Sequence, residues 1–199
     1  MHLVRATLPT PVGPMLAVAS DESLCALEFT AESRLSRLDT RLARFFLAND
    51  VRDGMNAVIA QTRAWLDAYF AGASADAGAL PLGARGTHFE QRVWTTLRTI
   101  PVGETRSYGQ VAALVAGTIL ASRAVGLANG ANPIAIVVPC HRVIGADGSL
   151  TGYGGGLNRK TWLLEHEERF WPSDTSYTRM QPHARHRVSR DEREPRFEF

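Results

Sequence analysis

Cys140, His141 and Arg142 follow Pro139 directly, at the end of an apolar run at 134–138. A free thiol with a pKa of roughly 8.5 is only about 3% thiolate at neutral pH, so a nucleophilic cysteine needs a nearby base, positive charge or aligned dipole. His141 and Arg142 offer the first two. On an extended strand neighbouring side chains point to opposite faces, so His141 reaches the thiol only through a bend or a bridging water. Its imidazole then needs an orienting partner, and Glu165, Glu167 and Glu168 are the carboxylates available in the last helical stretch. The plain alternative is a buried cysteine that only packs.

Two other stretches carry chemistry. The loop Thr151-Gly152-Tyr153-Gly154-Gly155-Gly156 leads into GGGLNRKT at 154–161, which sets Lys160-Thr161 where a phosphate-binding loop would. Arg159 stands where that loop requires glycine, which excludes nucleotide hydrolysis. The glycines instead let backbone amides approach a flat ligand, with Tyr153 as a stacking face, or simply make a flexible turn. Further upstream, Ser122, Arg123 and Gly126 share one helical face, while Ala121, Ala124, Val125 and Ala128 share another. One long cation among small side chains permits close approach to a DNA groove; the plain reading is a solvated arginine. Cys25, His2 and His88 show no ligand spacing, so no metal and no cofactor are expected.

The elements that must hold these residues begin with three short apolar runs, at 3–8, 15–19 and 24–29, punctuated by Thr10-Pro11, Gly13-Pro14 and Asp21-Glu22. They read as an antiparallel meander. Leu35, Leu38, Leu42 and Phe45 then mark one helix, and Met55, Ile59, Thr62, Leu66 and Tyr69 a second. The small, Gly-rich segment 71–87 reads as a linker. Thr87 and Glu90 form a capping box that opens a helix through Phe89, Val93 and Leu97, stopped by Pro101-Val102-Gly103. Ser107 and Gln110 open a short helix ending at Gly117, and Thr118 caps the next, from about 119 to 129. Two short helices joined by a tight glycine turn spell helix-turn-helix. The run at 134–138 suits a strand buried on both faces, and a final helix spans about 158–169. The charged stretch at 171–199 is expected to be a mobile tail.

The chain of 199 residues fits one domain or two small lobes. Its 45% hydrophobic content supports a core, and it has no apolar run of 18 residues and no secretory signal pattern at its start. No membrane partner and a cytoplasmic, reducing location are expected, since two cysteines make no disulfide framework. Residues 1–85 carry eight basic and nine acidic side chains, against seven and three over 86–164, so the second half is the better partner for an anion. Lys160 is the only lysine; the dominance of Arg reads mainly as genome composition.

Pro139-Cys140-His141-Arg142-Val143, with SYGQVA at 107–112, SRAVGLANGANP at 122–133 and TGYGGGLNRKTWLLEHE at 151–167, closely resembles the O6-alkylguanine-DNA alkyltransferases. TPVGPM at 10–15 and AWLDAYFAG at 64–72 extend the likeness more loosely. The resemblance implies an α+β fold: a ribonuclease H-like lobe over 1–80 and a helical DNA-binding and alkyl-acceptor domain with a helix-turn-helix over 86–170. It implies Cys140 as alkyl acceptor, Glu167 orienting His141, and Asn132 bracing the turn before the active-site strand. Arg123 would fill the space of an extruded nucleotide, with Ser122 and Gly126 beside it on the DNA, and Tyr108 would act near the flipped base and its phosphate. Val143, Tyr153 and Gly154 would contact the base. The implied activity is a single-turnover methylated-DNA-[protein]-cysteine S-methyltransferase on double-stranded DNA bearing O6-alkylguanine, with O4-alkylthymine a second candidate, acting as a monomer or cooperatively along DNA. A catalytically silent lesion binder of the same fold is the alternative, and a Cys-His-Glu hydrolase a third. One departure is Ile119, where the family usually has proline after the glycine turn, which implies looser DNA docking with intact chemistry.

Overall fold

The computed structural model describes residues 2–47, 50–78 and 80–173. The expected tail lies outside the described residues except for Trp171, Pro172 and Ser173; Trp171 stacks on Tyr69 at 5.9 Å, and Ser173 donates to the Gly103 carbonyl.

The fold is α+β, in two lobes. The three apolar runs form β1 (Leu3–Leu8), β2 (Met15–Ala19) and β3 (Leu24–Phe29), an antiparallel meander. Helix α1 (Glu32–Phe46) leads to β4 (Val51–Asp53), which pairs parallel with β1 and completes the order β3-β2-β1-β4. Only three residues long, β4 has no alternation for a sequence reading to detect. Leu38, Leu42 and Phe46 of α1 pack on one sheet face with Val18 and Cys25. Helix α2 (Ala57–Phe70) covers the other, burying Ile59, Thr62, Leu66 and Tyr69. Met55 is exposed outside that helix, whose cap is Asn56, accepting from the Ile59 amide at 3.0 Å.

The segment expected to be a linker is structured. Leu24 and Leu82 form a parallel bridge, with the Leu24 amide donating to the Pro81 carbonyl at 2.7 Å. The same free edge of β3 takes the second lobe, through a Leu27–Ile134 bridge with bonds of 2.8 Å in both directions. An edge strand with unsatisfied amides recruits whatever backbone lies beside it. Beneath this seam Leu8, Phe29, Tyr69, Val93, Leu97, Val111, Val138 and Leu163 belong to one continuous core, so the two lobes are fused rather than tethered.

In the second lobe both capping boxes form, opening α3 (His88–Leu97) and α4 (Tyr108–Ala116). Gly117 ends α4 at φ 70°, the left-handed conformation glycine adopts without strain. Thr118 caps a 3-10 turn at Ile119–Ala121 that runs into α5 (Ser122–Gly130), and the chain bends by 116° between the two helices, as a helix-turn-helix does. A two-stranded parallel ladder, β5 (Arg106–Ser107) with β6 (Val143–Ile144), ties this unit to the segment after Cys140. Helix α6 (Leu157–Phe170) closes the lobe.

The run at 134–138 is not the expected strand. Only Ile134 bridges to β3; the chain then folds on itself, with Val138 N donating to Ile134 O and Ile136 at φ 69°. Asn132 drives this compaction: its amide donates to the carbonyls of Val138 (2.8 Å) and Ile134 (3.4 Å), and its oxygen accepts from the Ile134 amide (3.1 Å). The five apolar residues are buried because both lobes close over the turn. A β-branched residue in the left-handed region costs on the order of 1–3 kcal/mol, so strain is stored four residues before Cys140.

Candidate active site

Cys140, His141 and Arg142 form a 3-10 turn rather than a strand end. With three residues per turn, neighbouring side chains diverge by about 120°, so the strand alternation that would have put His141 opposite the thiol does not apply. His141 and Arg142 both reach Glu167. Its carboxylate accepts from His141 Nε2 (2.9 Å), from Arg142 through Nε (2.9 Å) and Nη2 (2.8 Å), from the Tyr69 hydroxyl (2.8 Å) and from the Gly103 amide (3.2 Å). Five donors on one buried carboxylate satisfy a charge that burial alone would make costly. Burial alone would raise the Glu167 carboxyl, but His141 and then Arg142 outweigh it and hold it well below the usual carboxylate range. Arg142, one of the two expected activators of the thiol, is committed to Glu167 and to the Ile100 carbonyl at 2.6 Å.

An ionised carboxylate only accepts, so His141 must carry its proton on Nε2. Its Nδ1 keeps a free lone pair and is buried without a protein partner among the described residues. Burial lowers the His141 pKa against the pull of Glu167, which keeps the ring neutral near pH 7. The ring is thereby a fixed-tautomer base.

The positive charge near the thiol comes from elsewhere. Lys160, fully buried, donates to the carbonyls of Val143 (2.6 Å) and Thr151 (2.9 Å), and burial brings its pKa down to about 8, opposed by the Cys140 charge. Burial also raises the Cys140 thiol; Asn132 opposes that rise by hydrogen bonding, and Arg34 and Lys160 oppose it by charge, while Glu28 adds to it. Asn129, at the end of α5, donates to the Cys140 carbonyl at 3.3 Å.

Sequence reasoning missed Lys160, Asn129, Arg34 and Glu28 here. For Lys160 a signal existed: it is the one lysine among arginines, and with Leu163, Leu164 and Glu167 it makes the buried stripe of α6. The same stripe separates Glu167 from exposed Glu165 and half-buried Glu168.

The remaining expected site residues fall in three places. Tyr108 donates from its hydroxyl to the carbonyls of Thr151 (3.2 Å) and Gly152 (3.3 Å), tying the glycine loop to α4, and its ring lies against Gly126. Arg123 is exposed on α5, and Ser122 beside it donates to the Ile119 carbonyl. Leu120 and Leu127 stand out to solvent on the same unit, 89% and 73% exposed. Tyr153, Gly154 and Gly155 line a narrow cavity with Cys140, Asn129, Gly130, Asn132 and Ala135, closed by Glu28 and Arg34 from the first lobe. Val143 does not line it: its side chain is in the core and its carbonyl holds Lys160. The glycines of this loop have a reason other than contact with a flat ligand, because a Cβ on Gly154 or Gly155 would come within 2.5 Å of Arg34 or Phe29 respectively. Close packing of the lobes demands the glycine at 155, against the Phe29 ring, whereas at 154 the neighbour is the flexible end of Arg34.

Family models match both halves: residues 3–84 match the 6-O-methylguanine DNA methyltransferase ribonuclease-like domain, and residues 88–169 its DNA binding domain. The methylated-DNA--protein-cysteine methyltransferase of Shigella flexneri is 41% identical over 172 residues, covering 84% of this chain and 96% of that protein. The protein of that name from Mycobacterium tuberculosis is 62% identical over 109 residues, an alignment that spans 55% of this chain and 65% of the relative's length. Among solved structures, M. tuberculosis O6-methylguanine methyltransferase superposes with a TM-score of 0.72 at 44% identity, over 86% of this chain and 96% of that one. The M. tuberculosis OGT in complex with DNA gives 0.71 at 42%, over 89% and 99%. This chain belongs to the 6-O-methylguanine DNA methyltransferase family.

Proposed function

We propose that the protein repairs DNA by transferring the alkyl group of an everted O6-alkylguanine irreversibly to Cys140, once per molecule. The observation that carries this reading is the fixed tautomer of His141, the residue after Cys140: Glu167 accepts from Nε2, leaving Nδ1 as a buried base without a protein partner among the described residues. His141 takes the thiol proton, directly or through one water, while Lys160 and the Asn132 amide stabilise the thiolate. The S–C bond forms as the O6–C bond breaks, and the guanine leaves with a proton in place of its alkyl group. The product is a thioether, which neither water nor His141 cleaves, so one molecule is consumed per lesion.

Double-stranded DNA is the partner. The helix-turn-helix, with Arg123 exposed on α5 between exposed Leu120 and Leu127, is built to lie in a groove and to fill the space an everted nucleotide leaves. Tyr108, anchored on the glycine loop, lies against Gly126 of that helix. A thiol can accept an alkyl group only when reduced, which fits a cytoplasmic location.

Titrating the protein with duplex oligonucleotide bearing O6-methylguanine tests the reading. One lesion removed per protein molecule, with no second turnover, is expected; continued removal at excess lesion defeats it and favours a hydrolase. A Cys140→Ala variant is expected to bind the duplex and remove nothing.

A further inference from the structure

The cavity beside Cys140 has a volume of ≈ 10 Å³, about the room one water needs, and the cysteine is only 6% exposed. No purine enters such a space without displacing something. A much larger groove of ≈ 420 Å³ lies next to it, between α1 and the C-terminal end of α5, and Glu28, Arg34, Gly130 and Asn132 line both. Arg34 therefore forms the partition. Its guanidinium donates to Glu28 and, more weakly at 3.3 Å, to the Gly130 carbonyl, and it lies against Gly154; its Nε has no partner among the described residues. Among the other walls, Asn132 is fixed by three hydrogen bonds within its own turn and Gly155 by its packing on Phe29.

We propose that Arg34, held by Glu28, determines which O6 substituents this protein accepts: its side chain occupies the outer part of the acceptor pocket, and the base with its alkyl group must take that place. A methyl group adds little to the space the base itself needs. A benzyl group needs the whole of what Arg34 vacates, so bulky adducts meet a cost that small ones largely escape. Displaced Arg34 has somewhere to go, since the groove it already lines is open and keeps it within reach of Glu28. The proposal rests on the alkyl-transfer reading above and adds to it an N-terminal-lobe specificity residue.

Single-turnover rates on one duplex sequence carrying either O6-methylguanine or O6-benzylguanine test it, together with inactivation by free O6-benzylguanine. Arg34→Ala is expected to raise the benzyl-to-methyl rate ratio about tenfold and to speed inactivation by the free base. Glu28→Gln, which loosens Arg34 without removing it, is expected to move the ratio the same way by less. Arg34→Ala alone leaves Glu28 buried without its cation, so the double variant Arg34→Ala/Glu28→Gln provides a second measurement, with melting temperature as the check on folding. Wild-type methyl transfer is measured first in the same assay. Absence of methyl uptake defeats the functional reading itself; methyl uptake with an unchanged ratio in the double variant, or parallel loss of both rates, defeats this proposal.

Discussion

The floor and the roof of the Cys140 cavity are built differently. The floor is the Asn132 turn, backed by the His141–Glu167–Arg142 cluster and Lys160, which do not line the cavity themselves; there nearly every polar atom has a partner and Glu167 alone accepts five hydrogen bonds. The roof is Arg34, Glu28 and Tyr153, where Arg34 Nε and the Tyr153 hydroxyl have no partner among the described residues and one long side chain spans between the lobes. A floor bonded in this way holds the reacting geometry in advance, as transition-state stabilisation requires. A sparsely bonded roof is the part that can yield. The reacting groups thus belong to the second lobe, and Arg34 and Glu28 of the first lobe cover them, the lobes being joined along one edge of the sheet.

The largest test of that division removes the floor's centre. Glu167→Ala leaves Arg142 buried without its carboxylate and should cost about 3–5 kcal/mol of stability in denaturant titration. Glu167→Gln keeps the shape but not the charge, and with the His141 tautomer no longer enforced it should slow transfer by roughly 10² to 10⁴-fold while the protein still folds. A Glu167→Gln variant that transfers at the wild-type rate would place the proton elsewhere. Next in size, Lys160→Met removes the buried cation beside the thiol. Its thiol should alkylate with iodoacetamide more slowly at neutral pH, with the rate profile moved to higher pH; an unmoved profile would show that Lys160 only anchors the glycine loop.

The pH dependence follows from the same groups. His141 is held below its ordinary pKa by burial, so the base stays available under pH 6.5 and transfer falls off only as pH drops through that lowered value. At the other end Lys160 loses its proton above about 8, and transfer should decline there as the thiolate loses its neighbouring cation. Stability has its own sign. Below pH 6.5 the unfolded chain protonates its histidine while folded His141 resists, so stability falls with acid. Glu167, whose carboxyl is depressed in the fold, adds a contribution fully present above the ordinary carboxylate pKa and lost as pH falls below it. Equilibrium unfolding from pH 8 to 4 checks the first, and its continuation to pH 2 the second. The smallest effect expected concerns neither floor nor roof. Ile119→Pro should stiffen the turn before α5 and tighten DNA binding by about 0.4–1 kcal/mol, with the methyl-transfer step unchanged.

What the sequence showed follows the range of the interactions. The meander, the two capping boxes and the Gly117 turn are determined within a few residues, and all appear where composition and spacing put them. The strand expected at 134–138 failed because an apolar run does not distinguish a strand from a turn buried by two lobes, and the deciding bonds come from the side chain of Asn132. Cys140, His141 and Glu167 were legible through a motif, whereas Arg142 was misjudged because its partner lies 25 residues away. Arg34 and Glu28 belong to elements with no motif at all, and only the meeting of the lobes brings them to the thiol.

The central claim is that one sulfur atom accepts the alkyl group. Peptide mass spectrometry of the protein after incubation with an O6-methylguanine duplex measures this directly. A single methyl group is expected, on the peptide containing Cys140 and none on Cys25, in an amount equal to the lesion lost. Loss of the lesion with Cys140 recovered unmodified would contradict it.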